Sequence, residues 1–237
     1  MMENSRRPGL SGEKLGMPAL LFDLDGTLVD SVYEHVASWS DALRSEGILP
    51  PNWKIHRHVG MSGGSFLRKL LREIQPRRKK ISIDRLEKKH DINFGNSIGR
   101  IQILPGAQQL LRHLSKIRVQ WAIATTGNKK HTARLLEKFD LPSTVPVITG
   151  DDVAEAKPAP DVFVAAAQRL GVSVSDSVVI GDSVWDLLAA GRKNGLGVGL
   201  LCGGYGQQEL EGAGAFRVYQ DPADMLAHIE DLGIPGE

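Results

Sequence analysis

The stretch ALLFDLDGTLVDS, residues 19–31, decides the fold. Four apolar residues, Ala19 to Phe22, run without alternation into Asp23, and a second carboxylate follows at Asp25. An unbroken apolar run of this kind is the pattern of a strand buried on both faces, as in a parallel sheet. Gly26 then lets the chain turn tightly. A helical stripe follows in SVYEHVASWSDALRSE (31–46), with Val32, Val36, Trp39 and Leu43 spaced by three and four.

Working outward, apolar runs return at VQWAIAT (119–125), VPVIT (145–149), SVVIGD (177–182), GVGLL (197–201) and AFRVY (215–219). Between them lie the helical patterns AQQLLRHLSK, KKHTARLLEKF, DVFVAAAQRL, SVWDLLAAGRKN and PADMLAHIEDL. Strands alternating with helices predict βαβ units and an α/β fold, a parallel sheet with helices on both faces. From 31 to 100 the pattern is helical only, including FLRKLLREI (66–74) and the region 82–98. The predicted organisation is a loose tail (1–16), an α/β core (17–30 and 101–237) and an inserted all-helical domain (31–100).

Composition narrows the function classes. The 237 residues are 41% hydrophobic and 24% charged, ordinary globular values. A net charge of +1 gives no global reason to expect nucleic acid or an acidic membrane as partner. One cysteine, Cys202, excludes an intrachain disulfide and fits a reducing compartment. The opening MMENSRRPGLSGEKLGMP lacks the apolar core of a signal peptide. No apolar run approaches the ~20 residues needed to span a bilayer. A soluble cytoplasmic protein is expected, monomer or homodimer. Residues 68–90 hold ten Lys or Arg against three acids, including RRKK at 77–80. That is a solvated face or a steering patch for anions; few aromatics accompany it, against nucleic acid.

In open α/β sheets the functional crevice lies beyond the carboxyl ends of the strands. The polar residues there are Asp23 and Asp25, Thr125 and Thr126, Asp182, and Lys157 in the loop after VPVIT. Together they suit phosphoryl transfer. A carboxylate such as Asp23 can attack phosphorus and split one hard displacement into two. Mg2+ prefers oxygen ligands; Asp23, Asp182 and the Asp25 carbonyl would supply them, with Asp186 in support. Asp25 can protonate the leaving oxygen and later activate water. The turn from Leu24 to Gly26 offers backbone N–H groups to phosphate oxygens, and Thr125 and Lys157 suit its charge. Singly, each has a plainer reading: a turn, a solvated lysine, or an N-cap at Asp182. Their recurrence at strand ends, in this order, favours the catalytic one.

FDLDGTLVDS, IATTGN, AKPAPDVF and VVIGDSVWDLLAA resemble the four sequential motifs of the haloacid dehalogenase-like (HAD) hydrolase superfamily. The resemblance covers about residues 19 to 205, and the helical insert is similar to the cap of the phosphoglycolate phosphatase and β-phosphoglucomutase branch. It implies a Rossmann-like core, a mobile cap and Mg2+. It also implies Asp23 as nucleophile, Asp25 as acid and base, and Thr125 and Lys157 on the phosphate. Asp182 would be a metal ligand, and Asp186 the second acid of the fourth motif. An acid at position 25 favours phosphate esters over organohalides, because an alkoxide needs a proton and a halide does not.

The cap loop of that branch corresponds here to RHVGMSGGSFLRKLL (57–71). His56, Arg57, His58, Gly60 and Ser62 are the candidate substrate contacts. Mutase relatives carry a basic residue shortly after a similar glycine; Gly63 stands here, which argues against mutase activity. The expected function is a Mg2+-dependent phosphatase of a small phosphorylated metabolite, phosphoglycolate-like or a sugar phosphate, through an aspartyl-phosphate. The alternatives are a phosphosugar mutase and a non-catalytic phosphometabolite-binding domain.

Overall fold

A computed structural model of the chain describes residues 17–74 and 81–236. The predicted tail and the RRKK segment lie outside the described residues. The core begins with β1 (Ala19–Phe22), whose four residues are all buried. It continues through β2 (Trp121–Ala124), β3 (Val147–Ile148), β4 (Ser177–Gly181), β5 (Leu196–Leu200) and β6 (Ala215–Tyr219). The six strands form one parallel sheet in the order β3-β2-β1-β4-β5-β6, as the unbroken apolar runs require.

β1 is central, with Leu20 level with Trp121 on one side and Val178 on the other. The chain winds outward from β1 through β2 and β3, then returns to β4 on its other side. That reversal opens the crevice at the carboxyl ends of β1 and β4. Side chains of β1 alternate between faces. Leu20 and Phe22 join a cluster with Leu110 and Leu114 of α5 (Ala107–Lys116) and Leu135 of α6 (Lys129–Leu136). Leu21 joins Phe163 and Ala166 of α7 (Asp161–Leu170) and Ala189 of α8 (Val184–Gly191) on the opposite face.

The insert consists of α1 (Val32–Arg44), α2 (Asn52–His56), α3 (Gly63–Ile74) and α4 (Ile83–Ser97). These helices bury a core of their own around Trp39, Leu43, Ile55, Phe66, Leu70 and Leu86. Ser82 caps α4, its hydroxyl accepting from the Arg85 N–H. Two chain crossings join insert to core, and they are tied to each other. Asp30 N–H donates to Gln102 O at 2.9 Å, Leu104 N–H donates to Leu28 O at 3.0 Å, and Val29 and Ile103 form an antiparallel bridge.

The structure departs from the periodicity in small ways. α2 and α9 (Gln207–Gly212) are too short, at five and six residues, to show a stripe. PADMLAHIEDL is not one helix: α10 covers Pro222–Ala227, the backbone opens at His228, and a 3-10 turn follows at Ile229–Leu232. Among the described residues, no helix is long and apolar enough to cross a membrane.

Candidate active site

Asp23 leaves β1 with its backbone N–H donating to Ile180 O of β4 at 2.9 Å, so the sheet itself fixes the carboxylate. Lys157 comes from the loop after β3 and is completely buried. Its ammonium bonds Asp23 Oδ1 and pairs with Asp186 Oδ1 at 2.7 Å. The other Asp186 oxygen accepts from the Ser183 hydroxyl at 2.6 Å and the Ser183 N–H at 3.2 Å, closing the capping box of α8. Ser183, not Asp182, is thus the helix cap. Asp182 instead accepts from Thr27 Oγ1 at 3.2 Å and faces Gly26. A Cβ on Gly26, whose φ is +79°, would stand 2.5 Å from Asp182 Oδ2, so this turn needs glycine.

Asp23, Asp182 and Asp186 are all buried, and each places a carboxylate oxygen within 4.8 Å of the others. Burial, opposed by Lys157 but reinforced by Asp186 and Asp25, pushes the Asp23 carboxyl up to about 7. Burial and then the Asp186 and Asp23 charges drive Asp182 well upward too. Burial alone would lower Lys157, but Asp186 and Asp23 outweigh it and hold the ammonium above its ordinary range. Three buried carboxylates share one described cation. A hard cation held among them would relieve the excess, and an all-oxygen donor set fits Mg2+.

This crowding has a measurable sign. A carboxyl raised on folding contributes its stability fully below its unfolded value near 4 and loses it as pH climbs through about 7. In metal-free buffer Asp23→Asn, which cannot ionise, is expected to gain on the wild type across that window. Urea unfolding should show the difference growing to on the order of a few kcal/mol. A difference independent of pH would contradict the crowding.

Asp25 lies on the crevice side of the same turn. Ser31 Oγ donates to its Oδ1 at 2.6 Å, Thr125 Oγ1 to its Oδ2 at 3.4 Å, and His35 Nε2 lies 3.2 Å from Oδ1. Burial pushes this carboxyl up, but His35 and Ser31 outweigh it and hold it below the usual range. A phosphoryl group beside it acts the other way, toward the proton-bearing form a leaving group needs. Thr125 Oγ1 also accepts from Gly127 N–H at 3.0 Å, which orients the hydroxyl at the end of β2.

A cavity of about 240 Å3 between core and insert opens on Asp23 and Asp25. Of the predicted contacts, His58, Gly60 and Thr126 line it, and Thr126 Oγ1 donates to Gly60 O at 3.3 Å. Ser62 lines an adjoining cavity. His56 and Arg57 face elsewhere: His56 Nε2 lies 2.9 Å from Gly203 O and its ring stacks on Tyr33, while Arg57 pairs with Glu209 over the Tyr205 ring. The loop GGYG (203–206) is therefore a dock for the end of α2. Leu24 is wholly buried, its carbonyl accepting from the N–H groups of Thr27, Leu28 and Val29. Cys202 Sγ lies 3.1 Å from Gly26 O, and burial drives its thiol well above the ordinary range.

The residues that sequence reasoning missed are His35, Glu87, His90, Asp91, Asn128 and His131, all lining the cavity. His35 stacks on Phe94 with ring centres 3.8 Å apart, and its Nδ1 lies 3.1 Å from His90 Nε2. Two carried a usable signal: His35, an imidazole on the helix that leaves the acid turn, and Asn128, the last residue of IATTGN.

Comparison with known proteins gives the same placement. The sequence profile of haloacid dehalogenase-like hydrolases matches residues 17–192. Hexitol phosphatase A of Escherichia coli is 35% identical over 180 residues, 76% of this chain and 78% of that protein. A phosphoglycolate phosphatase of Neisseria meningitidis is 30% identical over 202 residues, 81% and 83% of the two chains. Among solved structures, a hydrolase from Pseudomonas syringae superposes with a TM-score of 0.86 at 44% identity, covering 91% of this chain and 99% of that one. A β-phosphoglucomutase from Clostridium difficile shares the fold at 20% identity, with a TM-score of 0.78 over 92% and 97% of the chains. The chain belongs to the haloacid dehalogenase-like hydrolase family, as an enzyme of its phosphatase branch.

Proposed function

We propose that the enzyme is a Mg2+-dependent phosphatase of a small phosphomonoester, acting through an aspartyl-phosphate on Asp23. The observation that carries this reading is the contact between Lys157 and Asp23 beside the three-aspartate cluster. Lys157 opposes the burial that pushes the Asp23 carboxyl up, favouring its ionised, nucleophilic form, and offers the same charge to phosphate oxygens as they arrive. Asp23, Asp182 and the Asp25 carbonyl would hold Mg2+, with Asp186 beside them. When bound, the ion neutralises phosphate charge and orients the phosphoryl group for in-line attack.

The residues divide the remaining work. Asp23 attacks phosphorus from the end of β1, which is paired with a strand on each side. Asp25 delivers a proton to the departing alkoxide, then accepts one from the water that hydrolyses the acyl phosphate. Ser31, His35 and Thr125 hold its carboxylate in place for both steps. Thr125 and Thr126, the backbone of the turn from Leu24 to Gly26, and Lys157 take the phosphate oxygens. The insert closes the crevice and excludes bulk water.

The test is phosphate release from an aryl phosphate by the purified enzyme, with Mg2+ and after chelation. Turnover that requires the ion is expected; equal turnover in both conditions would overturn the metal assignment, and none in either would overturn the phosphatase reading.

A further inference from the structure

The two oxygens of Asp25 keep different company. Oδ1 accepts from Ser31 Oγ at 2.6 Å and lies 3.2 Å from His35 Nε2. Oδ2 faces Thr125 Oγ1 across 3.4 Å, the hydroxyl proposed for phosphate. A carboxyl with two donors on one oxygen carries its own proton on the other. Oδ1 then accepts in both protonation states of the acid, and His35 Nε2 stays a donor throughout.

What fixes the His35 ring comes from another helix. Its Nδ1 lies 3.1 Å from Nε2 of His90 on α4. The two imidazoles are clamped crosswise. His35 of α1 lies parallel to Phe94 of α4, centres 3.8 Å apart, and His90 of α4 lies parallel to Trp39 of α1, centres 4.0 Å apart. Trp39 stands one turn beyond His35, and Phe94 one turn beyond His90. Trp39, His90 and Phe94 are all buried. Burial lowers His90 to about 4, so near neutrality its ring holds one N–H and one lone pair. Whichever imidazole carries the proton between Nδ1 and Nε2, His35 keeps its Nε2–H for Asp25. Without His90 that Nδ1 loses its partner, and the ring is free to turn off Oδ1.

We propose that His90 is a positioning residue for the acid step: through His35 it holds Asp25 so that Oδ2 delivers the proton. The inference rests on the phosphatase reading of the site and deepens it. As the P–O bond to the leaving group breaks, its electron pair goes to the departing oxygen, which takes the hydrogen from Oδ2. Oδ2 later takes one from the water that attacks the acyl phosphate. Beyond His90 the line continues. Its Nδ1 lies 3.6 Å from Asp91 Oδ1, which accepts from Asn128 Nδ2 at 3.3 Å. A chain of polar contacts from Asp25 thus crosses the insert and returns to the core at the cap of α6.

The experiment compares kcat/KM, which covers the steps through release of the leaving group, for p-nitrophenyl phosphate and phenyl phosphate. Nitrophenolate departs readily without a proton; phenolate, about as basic as tyrosinate, gains much more from one. His90→Phe keeps a ring for Trp39 and loses the nitrogen. It should lower phenyl phosphate hydrolysis by about tenfold more than that of p-nitrophenyl phosphate. His90→Gln still offers a polar atom to His35 and should keep the ratio of the two esters within about threefold of the wild type. In a His35→Phe background, where the link is already cut, adding His90→Phe should leave the ratio unchanged. An equal loss on both esters in His90→Phe would overturn the inference and mark His90 as packing alone, with the phosphatase reading intact. A ratio as low in His90→Gln as in His90→Phe, or a further fall in the His35→Phe background, would overturn it too. No release from either ester by the wild type would overturn the phosphatase reading and this inference with it.

Discussion

Asp23→Asn is expected to lower turnover of an aryl phosphate by roughly 10^4-fold or more, the scale seen when a covalent nucleophile is removed. The loss should be in kcat, because on the proposed mechanism Lys157, Thr125 and the turn at Gly26 would still bind phosphate. Folding should not suffer. The wild-type carboxylate sits among two buried carboxylates and under a burial penalty that raises it to about 7. An amide removes one like charge and leaves Lys157 its Asp186 partner at 2.7 Å. A variant that loses activity while matching or exceeding wild-type stability separates chemistry from structure; near-normal turnover would end the aspartyl-phosphate mechanism.

Lys157→Met should act on both. Its ammonium is fully buried and is the described cation that touches Asp23 and Asp186. Methionine keeps length and packing but strands the carboxylates, and removing one partner of a buried ion pair costs about 3–5 kcal/mol. The cost should be deepest at high pH, where the carboxylates cannot escape it by protonation, and Mg2+ should restore part of it. Turnover should fall by about 10^2–10^3-fold even with metal present, since a charge aimed at the transition state is gone. Chemical denaturation with and without Mg2+, beside steady-state kinetics, measures both effects. A metal-free variant as stable as the wild type would show that the ammonium does not hold the cluster together.

Much of this architecture is legible in the chain because buried parallel strands announce themselves. Ala19–Phe22 and Ser177–Gly181 are buried throughout, so their sequences have no polar alternation to confuse the reading. The residue next in sequence after such a strand must lie at its carboxyl end, and Asp23, Thr125 and Asp182 are visible for that reason. The outer wall of the site is not. Glu87, His90 and Asp91 lie more than sixty residues along the chain from Asp23. They reach the crevice because Trp39, Phe66 and Leu86 pack α1, α3 and α4 together, and side-chain packing at that range leaves no local pattern. Arg57 and His58 show the converse. Neighbours in sequence looked like neighbours in function, yet the end of α2 sends one to Glu209 and the other to the cavity.

The bridge between Val29 and Ile103 ties the two crossings of the insert to each other. Seen from the core, the chain leaves and returns through one narrow neck. Closing a longer or shorter excursion there costs little, because loop entropy grows only logarithmically with length. What cannot change freely are the few insert residues that reach back across it, His35 on Asp25 and Gly60 on Thr126. The neck sets the length of the excursion, and those contacts set its fit.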